Sequence, residues 1–394
     1  MSRAGCLGIK ERLRFKGALS CNGGASFSIN GLSSACCACT GDGGSKTFFL
    51  SLQCNRSCYF CFNANQGDYD ERCELNRDWK QEVDAFVESC ETVSHIGLTG
   101  GEPLLHKEEA LAFLSYVREC CPQVHTRLYT AGDFLDEACL QDLAVAGLSE
   151  LRLSIKLDDD PVETVLARLT LAKRYLSDVM VEMPVIPGTG AQMRHLLREF
   201  DALGIFGINL LEFCYPMNDW AEFGNRGFAV KNPPFKVLYD YGYAGGVPIA
   251  GSELLCLELL EFAIDEGLSL GVHYCSVDNK NKDQILRQNA AYRLDPRIYR
   301  LDEADFFYKT VKAFDGDVPL VQEALLAGGI EDFILEEEER CLSFHPDHLT
   351  VIEGLPTVSL LSYNVVEHEG KDAIVRELKL DPIERRFSVD NERD

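Results

Sequence analysis

Long uncharged apolar runs and an excess of basic residues are both missing from this sequence of 394 residues. Nowhere do 18 uncharged apolar residues follow one another, and the first residues hold no apolar run of signal-peptide length. We therefore expect a soluble, cytoplasmic protein without a membrane segment. Basic residues number 38 against 63 acidic ones, a net charge of −25. This balance disfavours tight, sequence-independent binding to nucleic acid, which depends on Lys and Arg replacing counterions along the phosphates.

The 17 cysteines are an odd number, and a chain without a secretory signal is expected in a reducing compartment, where structural disulfides are rare. Grouped thiols are therefore better explained as metal or cluster ligands. Scattered ones in apolar helical patterns, such as Cys90, Cys139 and Cys256, are typical of small buried hydrophobes.

Three segments differ in texture along the chain. Residues 1–44 are rich in Gly, Ser and Cys with little periodicity, which predicts an irregular leader that needs a ligand or the main domain to order it. Residues 45–216 alternate apolar strand-like runs with helical stretches. Residues 217–394 indicate an α+β extension, so that we expect a main domain with an appended one.

Six strands separated by helical patterns are predicted in the middle segment. The strands cover 47–52, 93–99, 126–130, 150–155, 179–185 and 208–213, and the helices cover 107–119, 136–146, 162–175 and 192–203. Strands that alternate with helices pair in parallel through right-handed crossovers. The expected architecture is an open or closed α/β barrel whose ligand site lies at the carboxyl ends of the strands.

The last third of the chain has a different pattern. Residues 253–267 predict one helix, and the acidic run 336–339 is most simply the solvated face of another. Residues 349–352, 357–367 and 373–380 alternate apolar with polar positions. That alternation predicts a meander of antiparallel strands.

The strongest motif is a set of three cysteines, Cys54, Cys58 and Cys61, directly after the first predicted strand. Three thiolates on one short loop can bind three irons of a cubane, which leaves the fourth iron open to a small molecule. A structural zinc site is the alternative, and it needs a fourth Cys or His nearby. Cys73 can serve, but it lacks a partner at the usual spacing. The sequence therefore favours a [4Fe–4S] cluster.

This loop resembles the signature of the radical S-adenosylmethionine (SAM) superfamily, with an aromatic residue, Phe60, before the last cysteine. A second motif, Gly100-Gly101-Glu102, closes the second predicted strand as the superfamily's Gly-Gly-Glu element does. The resemblance implies a partial (β/α)6 radical SAM barrel with an α+β C-terminal extension. It also implies that SAM binds at the open iron of the cluster.

The two glycines suit a backbone that closely approaches a bound amino acid, and Glu102 offers a carboxylate to the ammonium of that amino acid. The structural alternative is a glycine-rich turn with Glu102 near a helix N-terminus, where negative charge is favourable. The place of the motif at the next strand end favours the cofactor role.

The resemblance extends to further cofactor contacts. Thr130, Ser154 and Lys156 follow the third and fourth strands, where the superfamily places polar groups for the SAM ribose and carboxylate. Residues 185–189, which include Ile186 and follow the fifth strand, resemble the apolar segment that flanks adenine in the superfamily. Polar residues at strand ends also arise because those ends meet water, and a loop turn explains residues 185–189 as well.

A second thiol group precedes the barrel. Its members, which can hold an auxiliary iron–sulfur cluster or zinc together with Cys275, are Cys21, Cys36, Cys37 and Cys39. The alternative is a loosely ordered, redox-sensitive leader.

The Cys, Asp, Asn and Lys side chains of residues 273–280 follow an apolar strand and can line a substrate pocket, with a structural role as the alternative. The segment also resembles one of uncharacterised radical SAM proteins related to pyruvate formate-lyase activating enzymes, a resemblance that names no substrate. Cys214 and Tyr215, after the sixth strand, face the site if the barrel forms, and a packed strand end explains them equally well.

The activity implied by the resemblance is reductive cleavage of SAM to a 5′-deoxyadenosyl radical, which abstracts hydrogen from a small-molecule, peptide or protein substrate. An electron donor such as flavodoxin or ferredoxin is implied with it. The sequence leaves oxidoreductase and transferase chemistry open. An activating enzyme that installs a radical on a partner protein, and a non-catalytic iron–sulfur or zinc scaffold, are the alternatives.

Overall fold

The computed structural model describes residues 3–39, 44–65, 68–75, 77–90, 92–158, 160–217, 219–234, 246–290, 292–303, 305–369 and 372–383. The chain divides into two units, residues 1–236 with 243–283 and residues 237–242 with 284–394. Within the described ranges, no helix is both long enough and apolar enough to cross a membrane.

The strands are β1 (Leu19–Cys21), β2 (Ser26–Ile29), β3 (Ser45–Phe49), β4 (His95–Thr99), β5 (His125–Thr130), β6 (Glu150–Ser154), β7 (Asp178–Val185), β8 (Gly207–Glu212), β9 (Cys214–Tyr215), β10 (Val247–Pro248), β11 (Gly271–Cys275), β12 (Arg300–Leu301), β13 (Tyr308–Phe314), β14 (Phe333–Glu336), β15 (Cys341–Phe344), β16 (Ser359–Glu369) and β17 (Asp372–Pro382). The helices are α1 (Arg3–Phe15), α2 (Ser34–Ala38), α3 (Tyr69–Arg72), α4 (Trp79–Ser89), α5 (Lys107–Cys120), α6 (Glu137–Ala146), α7 (Val162–Ala172), α8 (Gly190–Leu203), α9 (Trp220–Asn225), α10 (Ser252–Asp265), α11 (Val277–Ala290) and α12 (Val318–Ala327).

The first unit is built on an open sheet in the order β1-β2-β11-β8-β7-β6-β5-β4-β3. All neighbours from β3 to β8, and β8 with β11, pair in parallel. The six predicted strands and the four predicted helices between them are confirmed, as is the open α/β architecture of a partial barrel. A seventh parallel strand, β11, extends it.

Helix α8 shows why the alternation is legible in sequence. Its buried residues Met193, Leu196, Leu197 and Phe200 recur at helical spacing on one face. The helix ends at Gly204, which has φ of +61°, a conformation that glycine adopts without steric cost.

Residues 3–39 of the leader contain regular elements, α1, β1, β2 and α2, where an irregular segment was expected, and they contact the main domain that was expected to order them. Helix α1 buries Ile9 and Leu13, and its Lys10 Nζ lies 2.6 Å from Glu253 Oε1. Strand β2 pairs antiparallel with β11. These partners are distant in sequence, so local periodicity gave no sign of them.

The second unit contains an antiparallel sheet in the order β14-β15-β13-β16-β17, with β12 paired to β13. The predicted strands at 357–367 and 373–380 are confirmed as β16 and β17. Residues 349–352 were expected to form a strand, but they lie in a 3-10 helix, Pro346–Ile352. The acidic run 336–339 ends β14 and enters a turn, so the predicted helix there is wrong.

Candidate active site at the carboxyl edge of the sheet

The carboxyl ends of β3 to β8 surround a cavity of about 440 Å³. Cys54, Cys58 and Cys61 lie in the loop after β3, and all three line this cavity. None of them forms a disulfide; Cys54 is exposed and the other two are half-buried. The three-cysteine motif thus stands at the edge of the sheet where parallel α/β folds place ligand sites.

Arg56 fastens this loop to the loops after β5 and β6. Its guanidinium donates to Asp133 Oδ2 and Oδ1 at 2.5 Å each, and to both carboxylate oxygens of Asp160 at 2.9 Å. The hydrogen bonds from Arg56 hold the pKa of Asp133 well below its usual range. The sequence pattern did not lead us to assign a role to Arg56, although its position between Cys54 and Cys58 places it in the motif loop.

The electrostatic surroundings of the thiols include one buried cation. Burial raises the pKa of Cys54 and of Cys61, and the nearby charge of Lys156 opposes that rise. The Lys156 side chain is 8% exposed and lines the cavity, and its Nζ has no hydrogen-bond or ion-pair partner in the part of the chain described. A ligand in the cavity that carries a carboxylate would satisfy this ammonium.

Gly100 and Gly101 make a close backbone contact that the motif alone did not indicate. A Cβ at Gly101 would stand 1.9 Å from the Gln53 carbonyl oxygen, and one at Gly100, where φ is +144°, would stand 2.4 Å from the Ser51 carbonyl oxygen. Only glycine permits this approach of two backbones. The amides of Gly101 and Glu102 donate to Ser51 at 3.1 Å and to Gln53 at 2.8 Å. The glycines therefore position the start of the cysteine loop.

Glu102 is 1% exposed, and its carboxylate is already engaged. Oε1 accepts from the Leu104 amide at 3.1 Å and from the Thr130 hydroxyl at 2.7 Å, and Oε2 accepts from the Ala131 amide at 2.7 Å. Burial raises the pKa of Glu102, although these donors oppose the rise. Glu102 caps the short 3-10 helix Pro103–His106 and ties the end of β4 to that of β5.

The other proposed cofactor residues occupy two neighbouring cavities. Thr130, Ser154 and Lys156 line the 440 Å³ cavity, but the Thr130 hydroxyl also accepts from the Gly132 amide at 2.9 Å. Ile186 lines an adjacent cavity of about 250 Å³, and Phe60 lines both.

The larger cavity is also lined by Tyr129, Glu182, Cys214 and Lys280. The sequence had pointed to Cys214 and to the segment that contains Lys280, but not to Tyr129 or Glu182. Burial raises the pKa of Cys214 to about 11, which keeps its thiol neutral at neutral pH. These residues come from β5, β7, β9 and α11, so only the fold brings them together.

The leader cysteines lie elsewhere. Cys36 Sγ is 3.3 Å from Arg152 Nη2 and 3.4 Å from Asn209 Nδ2, inside a buried polar network. Cys39 and Cys36 lie near Cys275, where burial raises the pKa of the Cys275 thiol to about 12. Cys21 and Cys275 are both register partners of Ser26. Across the described residues, no three His, Cys, Asp or Glu side chains are arranged to hold one metal ion.

Comparison with protein families matches residues 49–200 to the Radical SAM superfamily. A candidate glycyl-radical enzyme activating enzyme from Methanocaldococcus jannaschii is 26% identical over 313 residues, which cover 76% of this chain and 79% of that protein. A GTP 3′,8-cyclase from Campylobacter lari is 27% identical over 222 residues, covering 55% of this chain and 63% of the cyclase.

Two solved structures illustrate the structural similarity. Streptococcus suis SuiB bound to its precursor peptide SuiA aligns with a TM-score of 0.36 and 15% identity, covering 43% of this chain and 39% of SuiB. Native anSMEcpe with bound AdoMet aligns with a TM-score of 0.40 and 16% identity, covering 58% of this chain and 63% of that one. This chain thus spans less than two thirds of either.

Proposed function

We propose that this chain, which contains a radical SAM domain over residues 49–200, reductively cleaves SAM at a [4Fe–4S] cluster held by Cys54, Cys58 and Cys61. The observation that carries the proposal is that these three thiols line one cavity with the unpartnered ammonium of Lys156. When bound, the cluster and SAM supply the electron and the carbon–sulfur bond whose cleavage yields a 5′-deoxyadenosyl radical for hydrogen abstraction.

The protein's own residues hold the loop in place for this chemistry. Arg56 links the loop to Asp133 and Asp160, while Gly100 and Gly101 admit the backbone of residues 51–53 between the ends of β3 and β4. Three thiols on a loop that is restrained at residues 51–53 and at Arg56 lose less freedom when they bind a cluster, because the loop is already ordered.

Lys156 gives the cavity a place for an anionic group beside the cysteines. We assign to it the carboxylate of the SAM amino-acid group. Glu102 then acts as a positioning residue that fixes the ends of β4 and β5, since its oxygens already accept three hydrogen bonds.

An activating enzyme is the second candidate function. The relative from Methanocaldococcus jannaschii, matched over 76% of this chain, is named as a candidate enzyme of that kind. The substrate would then be a partner protein, and the electron donor a flavodoxin or ferredoxin.

Anaerobic reconstitution with iron and sulfide, followed by dithionite and SAM, tests the proposal. The product measured is 5′-deoxyadenosine, and we expect it to form only in protein that carries the cluster. A matched control is Cys73→Ser, which removes a thiol just beyond the motif. A reduced, cluster-loaded protein that forms no 5′-deoxyadenosine would show the non-catalytic scaffold instead.

A further inference from the structure

Two residues of opposite charge that line the 440 Å³ cavity do not pair with each other. Lys280, in the first turn of α11, and Glu182, in β7, both line it. They lie near enough to affect each other's pKa, yet no ion pair within 4.0 Å joins them. Lys280 acts electrostatically on Glu182, Cys214 and Cys275, whereas Lys156 acts on the cysteine loop.

Lys280 has donors to spare. Within the ranges that the structure describes, its Nζ has neither a hydrogen-bond acceptor nor an ion-pair partner. The thiol of Cys214, which lines the same cavity, has a pKa that burial raises to about 11, so it brings no negative charge at neutral pH. A half-buried ammonium without an acceptor is costly, because its hydration is reduced and not replaced.

Glu182 has one oxygen to spare. Its Oε2 accepts from Arg152 Nη1 and from Asn209 Nδ2, both at 2.8 Å. Its Oε1 has no hydrogen-bond donor among the described side chains and amides. Arg152 also donates to Tyr129 Oη at 3.3 Å, which orients the Tyr129 hydroxyl in the same cavity.

We propose that Lys280 and Glu182 form a subsite for the zwitterionic group of a substrate α-amino acid, with its carboxylate on Lys280 and its ammonium on Glu182 Oε1. A zwitterion offers a carboxylate to the Lys280 ammonium and an ammonium to Glu182 Oε1 at once, while Glu182 Oε2 stays bound to Arg152 and Asn209. A phosphate dianion would meet the Glu182 carboxylate, and an internal peptide residue carries neither charge. The inference deepens the proposed function, because it names the substrate class of the same cavity.

The test is saturation-transfer NMR on the full chain with a pool of the twenty free amino acids. We expect at least one of them to bind saturably to the unaltered protein. Lys280→Met should weaken that binding by roughly tenfold to a hundredfold, the range for losing one charge-assisted hydrogen bond. Lys107→Gln is the matched control, since Lys107 lies outside the cavity and pairs with Asp142; binding should be unchanged in it.

If a protein variant fails to fold, the proposal can instead be tested by changing the ligand. The N-acetyl and the amide derivative of the bound amino acid each lose one charge, and each should bind at least tenfold more weakly. The proposal would be overturned if the derivatives bound as tightly as the amino acid itself. It would also be overturned if the unaltered protein bound no amino acid more strongly than the Lys280→Met variant does.

SAM is itself an α-amino acid and could occupy the same subsite. The titration of the substrate amino acid is therefore repeated in the presence of SAM. The substrate amino acid should still bind when SAM is present; complete displacement by SAM would assign the subsite to SAM and contradict the proposal. Because the readout is binding, it can fail while SAM is still cleaved, and cleavage of SAM can fail while the amino acid still binds.

Discussion

Two groups of cysteines in the first unit are each held next to an arginine that bridges two carboxylates. Arg56 bridges Asp133 and Asp160 beside the loop of Cys54, Cys58 and Cys61. Arg152 bridges Glu150 and Glu182 beside the leader group that contains Cys36.

The difference lies in what the arginine does to the thiol. The Arg56 guanidinium donates to carboxylates and to the Ala131 carbonyl, whereas the contact of Arg56 with Cys54 Sγ, at 3.4 Å, comes from its backbone amide. Arg152 instead donates to Cys36 Sγ, so that this thiol is part of the buried network. The same device therefore leaves one group available to a ligand and commits a member of the other to the fold.

Substituting the cysteines of each group in turn should give the largest difference, measured as the iron and sulfide content of the reconstituted protein. Replacing Cys54, Cys58 and Cys61 by Ser should remove about four irons and the matching sulfide per chain, because each thiolate holds one iron of the cubane. Replacing Cys36, Cys37 and Cys39 should leave that cluster in place. Iron and sulfide are measured after anaerobic reconstitution. Full iron content in the first variant would refute the assignment of the loop.

Lowering the pH should loosen the leader side of the comparison. Burial would raise the pKa of Glu150, but His125, Arg152 and Ser33 outweigh it and lower the pKa from 4.5 to about 2. A carboxyl with a depressed pKa stabilises the fold above its unfolded value and loses that effect as the pH falls toward 2. We expect a loss on the order of 3 kcal/mol in the free energy of unfolding between pH 5 and 2.

Urea denaturation across that pH range measures the effect, and Glu150→Gln is the comparison. The variant should be less stable at pH 7 and should lose less on acidification. Equal slopes for the two proteins would exclude Glu150 as the titrating group.

The smallest effect is expected from Arg56→Lys, which keeps the charge and loses the forked geometry. Stability should fall by about 1–2 kcal/mol, and the reconstituted cluster should lose iron faster to a chelator. Arg168→Lys is the matched control, because Arg168 also binds Asp133, at 2.9 Å, but belongs to α7 and not to the loop. Equal rates of iron loss in both variants would show that Arg56 does not position the cysteines.

Local patterns were sufficient for much of this molecule. The six strands from β3 to β8 are short apolar runs bounded by helices, and the cysteine motif is contained within eight residues, so both are visible without long-range information. The carboxyl-edge location of the motif follows from parallel pairing alone.

What the sequence could not supply depends on contacts between distant segments. The roles of Gly100 and Gly101 follow from the backbone of residues 51–53, and the engagement of Glu102 follows from Thr130 and Ala131. Lys280 and Glu182 line the same cavity only because α11 follows a seventh parallel strand, β11. Whether the cysteines bind a cluster, and whether the leader holds a second metal, remain predictions.

The pairing of β2 with β11 has a consequence for biosynthesis. Ser26 and His273, hydrogen-bonded at 2.7 Å, are 247 residues apart in the chain. At 5 to 20 residues per second, a ribosome needs roughly 10 to 50 seconds to make the later partner after the earlier one. During that interval β2 cannot pair with β11, because β11 has not been synthesised. Cys36, which lies near Cys275 of β11 in the folded chain, lacks that neighbour until then. A nascent chain therefore relies on the reducing power of its surroundings, or on a chaperone, to keep the leader thiols unmodified until β11 has been synthesised.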